Sequence, residues 1–319
     1  MKKKWLIYGA NGYTGRLIAR QARQQGLKPV LAGRSNAGVA AIAAESGFDS
    51  LVFDLDDTAA LNKAVKGFSV VLHCAGPFSA TSQPMIEACL KNGCHYLDIT
   101  GEISVFANAY KQSDEAARAD IVLMPGVGFD VVPTDCLAAR LVKALPAATA
   151  LTLAFESGSH MSPGTAKTSI EGLAGGGCVR KDGKLKWVPL AWKTREIPFK
   201  HGKRLAVTIP WGDVFGQLNR APAGPISPEI AGAMARLRDR AGWELDTGEW
   251  YLTGWASAAA EPRVIRTFED TPREEAEAGV AFLWTTNRFT VNLSAAYAND
   301  PVDGEEFRPD DTYVGMVLS

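Results

Sequence analysis

Short apolar runs alternate with longer amphipathic stretches through residues 1–145. The runs at Trp5–Tyr8, Lys28–Ala32, Ser50–Phe53, Val70–His73, Tyr96–Ile99 and Ile121–Met124 have the length and composition of strands. Helical stretches are expected to begin near Gly12, Asn36, Thr58, Pro84, Ile103 and Pro133. In the last of these, Leu137, Leu141 and Leu145 recur every four residues and define one apolar stripe. Gly26, Gly67 and Gly93 stand where the preceding helices should stop. Strand and helix in strict alternation imply βαβ units and a parallel sheet, so the expected class is α/β, doubly wound.

The rhythm changes after Pro146. Ala150–Phe155 and Arg204–Ile209 read as strands, and Lys186–Phe199 has room for one or two more. Gly164–Leu173 reads as a helix followed by the loop Gly175-Gly176-Gly177, Pro228–Arg240 as a helical patch and Phe289–Ala296 as a strand. Two domains follow: a dinucleotide-binding domain over 1–145 and a sheet-containing second domain over 146–319. No internal repeat is visible.

The junction of the first strand and helix carries the clearest chemistry. Trp5-Leu6-Ile7-Tyr8 runs into Gly9-Ala10-Asn11-Gly12-Tyr13-Thr14-Gly15. Gly9 suits a tight turn, Gly12 allows a diphosphate to approach the backbone, and Gly15 allows the helix to pack close to the strand. The free N–H groups of that helix face the anion. The spacing, G-x-x-G-x-x-G, is one residue longer than the usual fingerprint. The expected cofactor-binding set here is Gly9, Asn11, Gly12, Tyr13, Thr14 and Gly15.

The second strand ends in Val30-Leu31-Ala32-Gly33-Arg34-Ser35. An NAD enzyme presents a carboxylate at about this distance, roughly 20 residues past the glycines. Arg34 and Ser35 instead suit a 2′-phosphate, through a two-pronged guanidinium contact and a hydroxyl donor. NADP(H) is therefore the expected cofactor. Asp54, after the third strand, either accepts from the adenine amine or starts a helix. Ala75-Gly76-Pro77-Phe78, after the fourth, either lets the cofactor pass with Phe78 near the nicotinamide or is a plain strand exit.

Composition narrows the partners. The chain has 319 residues, a formal net charge of −1 and 22% charged residues, a balance that argues against nucleic acid or an anionic membrane as the main partner. Its five cysteines form no C-x-x-C pair and read as reduced thiols of a cytoplasmic protein. No run reaches the roughly 20 apolar residues of a membrane span. The four histidines form neither an H-E-x-x-H motif nor a Cys/His ligand set, so no metal is expected.

The segments YGANGYTGR, LAGRS, CAGPF, CHYLDITGE and PGVGFDVVPTD, in order, resemble the saccharopine dehydrogenase-like family of NADP-binding oxidoreductases, which includes the trans-acting enoyl reductases. The similarity runs over residues 1 to about 220; beyond Arg220 the chain departs from the family's ending. The resemblance implies a Rossmann domain plus a mixed-sheet α+β second domain, with the end of the chain often folding back on the first. It also implies a homodimer and reduction of an activated C=C or C=N bond on a small-molecule or carrier-linked substrate.

Two polar clusters fall at strand ends, Cys94–Glu102 and Gly128–Asp135. Tyr96, Asp98, Glu102 and Asp130 are the groups available for proton transfer beside a hydride step, with the substrate expected between the domains. Each has a structural alternative: Tyr96 as core with its hydroxyl tied off, Asp98, Glu102 and Asp130 as braces of their loops. A basic run from Arg180 to Arg204 either attracts an anionic carrier or is a solvated face. The competing function is a non-catalytic NADPH-binding regulator.

Overall fold

The structure, a computed structural model, describes residues 4–128, 131, 132, 134, 150–157, 163–181, 184–199, 202–216, 278–285, 290–297 and 311–318. They form two sheets, in two compact units. The expected domain boundary at 145/146, the Leu137–Leu145 stripe, the Pro228–Arg240 patch and Asp130 lie outside the described residues.

The first sheet contains β1 (Trp5–Tyr8), β2 (Val30–Gly33), β3 (Ser50–Val52), β4 (Val70–His73), β5 (His95–Asp98) and β6 (Leu123–Met124). Its order is β3-β2-β1-β4-β5-β6, parallel throughout. Alternation along each strand divides the core in two. Leu6, Tyr8, Ala32, Val71 and Tyr96 face one apolar layer; Trp5, Ile7, Leu31, Val70 and Leu97 face the other. Helices α1 (Tyr13–Gln24) and α2 (Asn36–Ser46) cover the second layer through Ala19, Ala22 and Ile42. Helices α3 (Thr58–Val65), α4 (Phe78–Asn92), α5 (Ile103–Lys111) and α6 (Ser113–Arg118) cover the first through Leu61, Met85, Ile86, Ala109 and Ala116. A strand buried on both faces has no polar side, which explains the unbroken apolar runs. This is the doubly wound Rossmann arrangement, and the strand order reverses between β1 and β4, where such sheets hold their ligands.

The fourth helix departs from expectation. It begins at Phe78, not near Pro84, and carries Pro84 inside it. A proline is favoured at a helix start because its missing N–H is not needed there. Here the start is fixed by a carboxylate from elsewhere, described below.

The second sheet is mixed. Its strands are β7 (Ala150–Ser157), β8 (Gly177–Lys181), β9 (Lys184–Val188), β10 (Thr194–Phe199), β11 (Gly202–Thr208), β12 (Ala278–Thr285), β13 (Thr290–Tyr297) and β14 (Asp311–Leu318). The order is β10-β11-β14-β7-β13-β12, with β8 pairing both β14 and β9. The pair β14–β7 is parallel and the others antiparallel. Helix α7 (Pro163–Leu173) precedes β8 in the chain, and the short helix α8 (Asp213–Gly216) packs against β8 and β14. The expected strand Phe289–Ala296 is β13, one residue later. Arg180, counted above in the basic run, is 2% exposed, and its Nε and Nη2 donate to the Val214 and Phe215 carbonyls at 2.9 and 3.1 Å. It therefore holds α8 and is not part of a basic surface.

Candidate functional site

β1 is the central strand beside the order reversal, so the turn that follows it lies at the natural ligand crevice. Gly9 leaves β1 with φ +79°, and a Cβ there would meet the Ala75 backbone nitrogen at 2.8 Å. Left-handed geometry and close approach of the β4 exit loop both require glycine. Gly15 has a different reason: a Cβ would lie 2.3 Å from the Gly9 carbonyl oxygen, so α1 packs directly on the turn. Gly12 has neither constraint. It is exposed, its φ is −75°, and a Cβ would meet only the Gly9 oxygen at 3.2 Å. Its bareness leaves an open face on the turn.

That face carries donors. The first helical hydrogen bond of α1 runs from the Arg16 N–H to the Gly12 carbonyl at 3.0 Å, and no side chain caps the helix. The N–H groups of Tyr13, Thr14 and Gly15 therefore have no intrahelical acceptor and sit at the positive end of the helix. Tyr13 is exposed and Thr14 half-buried. A diphosphate fits such a cradle: it needs a backbone without Cβ and a fan of unfilled donors. Arg16, which the sequence reading did not single out, donates from Nε to the Asn11 carbonyl at 3.0 Å and adds its charge to this turn.

The β2–α2 turn adjoins the cradle. The N–H groups of Gly9 and Ala10 both donate to the Ala32 carbonyl, at 2.8 and 3.0 Å, tying it to the end of β2. Arg34 is exposed and makes no ion pair among the described residues. Ser35 caps α2 by accepting from the Gly38 N–H at 3.2 Å, which leaves its hydroxyl proton available. Asp54 is exposed and accepts from the Asp56 N–H at 3.2 Å; the start of α3 is capped by Asp57 instead.

The ends of β4 and β5 carry a different kind of polarity. Tyr96 and Asp98 lie two apart on β5 and share one side of the sheet. The Tyr96 hydroxyl donates to Asp98 Oδ2 at 2.6 Å, and the Thr100 and Gly126 N–H groups donate to Oδ1 at 3.0 and 2.8 Å. Both residues are 0% exposed. Burial pushes the Asp98 carboxyl up to about 6, against the downward pull of its hydrogen bonds from Tyr96, Thr100 and Gly126. Burial, reinforced by Asp98, also holds the Tyr96 hydroxyl well above its usual range. Glu102 reaches a different target. Its two oxygens accept from the Phe78 and Ser79 N–H groups at 2.9 and 2.7 Å, so it caps α4.

His73, at the end of β4, completes the cluster. Its ring lies 5.4 Å from Phe78, edge-on, and 5.5 Å from Tyr8. Thr81 Oγ1 lies 2.6 Å from the Ala75 carbonyl and 3.0 Å from that of Pro77. The single Thr81 proton goes to a carbonyl, so His73 Nε2, 3.0 Å away, must be the donor and Nδ1 is left without a partner. Burial lowers the His73 pKa to about 3. Cys74 is pushed up to about 12 by burial and by Asp98, so its thiol is not a neutral-pH nucleophile.

Thus Gly9–Gly15 and Arg34–Ser35 come together through the Ala32 carbonyl, and Ala75 meets Gly9. Gly76 and Pro77 follow in the loop that contacts Gly9, and Phe78, the first residue of α4, is 8% exposed against His73. Sequence reasoning missed Arg16, whose contact with the Asn11 carbonyl is local, and the Glu102 cap, which joins residues 23 apart. Among the described residues no group of three or more potential metal ligands occurs, and no helix is long and apolar enough to cross a membrane.

A strand order of 3-2-1-4-5-6 with a bare amide cradle after β1 defines a dinucleotide-binding domain. Residues 5–124 match the family model of the saccharopine dehydrogenase NADP binding domain. The chain is similar to a saccharopine dehydrogenase-like oxidoreductase of Bos taurus, 28% identical over 152 residues, which covers 41% of this chain and 35% of the relative. It is also similar to a trans-acting enoyl reductase of Mycobacterium ulcerans (strain Agy99), 31% identical over 140 residues, covering 41% and 33%. The alignments thus span about a third of the length of these curated relatives. Among solved structures, apo saccharopine dehydrogenase (L-Glu forming) from Saccharomyces cerevisiae aligns with a TM-score of 0.50 at 15% identity, covering 65% of this chain and 49% of that one, a likeness of fold.

Proposed function

We propose that this protein is an NADPH-dependent reductase of the saccharopine dehydrogenase-like type, acting on an activated C=C or C=N bond of a small or carrier-linked substrate. The observation that carries the reading is the pairing of an uncapped helix start after β1 with an exposed Arg34, which makes no ion pair among the described residues, one turn away. Tyr13, Thr14 and Gly15 would hold the diphosphate through their N–H groups, and Arg34 with Ser35 the 2′-phosphate. Bound NADPH supplies a hydride to an electron-poor carbon, and the adjoining atom takes a proton. Phe78 is proposed to pack near the nicotinamide, held in place by the Glu102 cap. Tyr96 and Asp98 are proposed to act as positioning groups that fix the β5 and β6 exit loops, since their hydrogen bonds are spent on each other and on Thr100 and Gly126. That leaves Asp130 as the candidate proton donor of the original four. The similarity to a trans-acting enoyl reductase supports the C=C class and a carrier-linked substrate.

One observation favours a second reading. Tyr96, Asp98 and Glu102 are all engaged within the protein, which suits a domain that binds NADPH without turning it over. A panel of enoyl thioesters, cyclic imines and ketones, followed at the NADPH absorbance band, separates the two. Oxidation above the buffer rate with any class supports the reductase. Tight NADPH binding with no consumption across the panel supports the sensor.

A further inference from the structure

We infer that Asn11 is a positioning residue for cofactor selectivity: its side chain holds the Arg34–Ser35 turn in register with the glycine cradle. The inference rests on the NADPH reading above and deepens it. Asn11 belongs to the cradle by sequence, but its carboxamide lies against the neighbouring turn. A Cβ on Gly33 would stand 2.9 Å from Asn11 Oδ1, and one on Gly38 would stand 2.8 Å from Nδ2 and 3.3 Å from the Asn11 Cβ. The side chain is therefore seated across two bare Cα atoms. Neither glycine has a positive φ, so backbone freedom is not the reason for glycine at these positions. Room for Asn11 is.

Gly33 and Gly38 bracket the segment that carries Arg34 and Ser35. Gly33 ends β2, and the Gly38 N–H donates to Ser35 Oγ at 3.2 Å. At the other end, the Asn11 backbone is held by Arg16 Nε at 3.0 Å, and its neighbour Gly12 donates to the Gly9 carbonyl at 3.0 Å. The carboxamide makes no hydrogen bond among the described residues, so it works as a spacer. At interior packing density a spacer is effective, because a change of one methyl group shifts its neighbours. Its removal leaves Ser35 still capping α2 but lets the turn that bears Arg34 drift relative to the diphosphate. Affinity for NADPH should fall by a larger factor than affinity for NADH, which lacks the 2′-phosphate.

The test is calorimetric titration of wild type, Asn11→Ala, Gly38→Ala and the double variant with NADPH and with NADH, alongside thermal unfolding of the same samples. Each single variant should lower the NADPH-over-NADH affinity ratio roughly tenfold, within the range seen for directly coupled neighbours. In the double variant the Gly38→Ala methyl enters space the carboxamide has left, so the loss should be smaller than the two single losses combined. The milder Asn11→Ser should fall between wild type and Asn11→Ala. A wild-type protein that prefers NADPH and an Asn11→Ala variant that keeps the full preference would overturn the inference alone. Strictly additive losses in the double variant would also overturn it. No preference in the wild type would remove the cofactor reading and the inference with it.

Discussion

The two sides of the strand-order reversal treat polar groups in opposite ways. On the β1–β2 side the polar groups are backbone amides without an intrahelical acceptor and an exposed guanidinium. On the β4–β5 side they are side chains, buried and bonded to one another: Tyr96 to Asp98, Asp98 to two loops, Glu102 to the start of α4. The first side presents donors that suit an anion, and the second ties loops and a helix start together. Tyr96, Asp98 and Glu102, which look most like acid–base machinery in the sequence, engage polar groups within the protein.

The largest effect should come from filling the contact between cradle and helix. Gly15→Val places a branched side chain where even a Cβ would lie 2.3 Å from the Gly9 oxygen, so α1 cannot seat on β1. A loss of more than about 4 kcal/mol is expected, seen as insoluble expression or a collapsed urea midpoint. A variant with near-wild-type stability would show that the packing of α1 on the turn is not as described.

Next in size is the charge at the end of β2. Arg34→Asp replaces the cation proposed to hold the 2′-phosphate with a repelling anion. The NADPH-over-NADH affinity ratio should fall roughly a hundredfold or more, reversing the preference, on the scale of charged hydrogen bonds. Unchanged affinities would remove Arg34 from the site.

On the scaffold side the signature is in pH. The Asp98 pKa is raised to about 6 in the fold from an ordinary 3.8, so its contribution is present below the lower value and is lost as pH rises through about 6. The His73 pKa is lowered to about 3 from 6.5, so its contribution is present above the higher value and is lost as pH falls through about 3. Between pH 4 and 6 the two slopes oppose each other, and wild-type stability contributed by the pair should be nearly flat. Asp98→Asn keeps an acceptor for Thr100 and Gly126 but cannot titrate. Its stability should rise with pH across that window by about 1.4 kcal/mol per unit, the value for one proton. Urea unfolding at several pH values measures this, and parallel curves for variant and wild type would contradict the buried pair.

The smallest effect is expected at the α4 cap. Glu102→Gln retains one acceptor but loses charge at the helix start, a change of about 1 kcal/mol. Unfolding midpoints would show it, and no change would mean that water replaces the cap.

The parallel sheet was legible because its inner strands β1, β2, β4 and β5 are largely buried on both faces and so read as continuous apolar runs. The cradle was legible because its glycines are local. Contacts between distant residues were not. The start of α4 depends on Glu102, 23 residues after Ser79, and without that cap Pro84 looks like the first residue of the helix. Asn11 looks like a ligand-facing loop residue until Gly33 and Gly38 are brought beside it. Tyr96 and Asp98 did carry a usable signal: two residues apart on a strand, they must point the same way, which favours a mutual hydrogen bond over two separate roles. In the second sheet, β12 and β14 lie beyond Arg220, where the resemblance ends, so only their own apolar runs mark them.

Isothermal titration of the purified protein with NADPH, and in parallel with NADH, tests the central claim most directly. Saturable one-to-one binding with NADPH clearly favoured is the result this account requires. An absence of heat with both nucleotides, or equal affinity for the two, would contradict it.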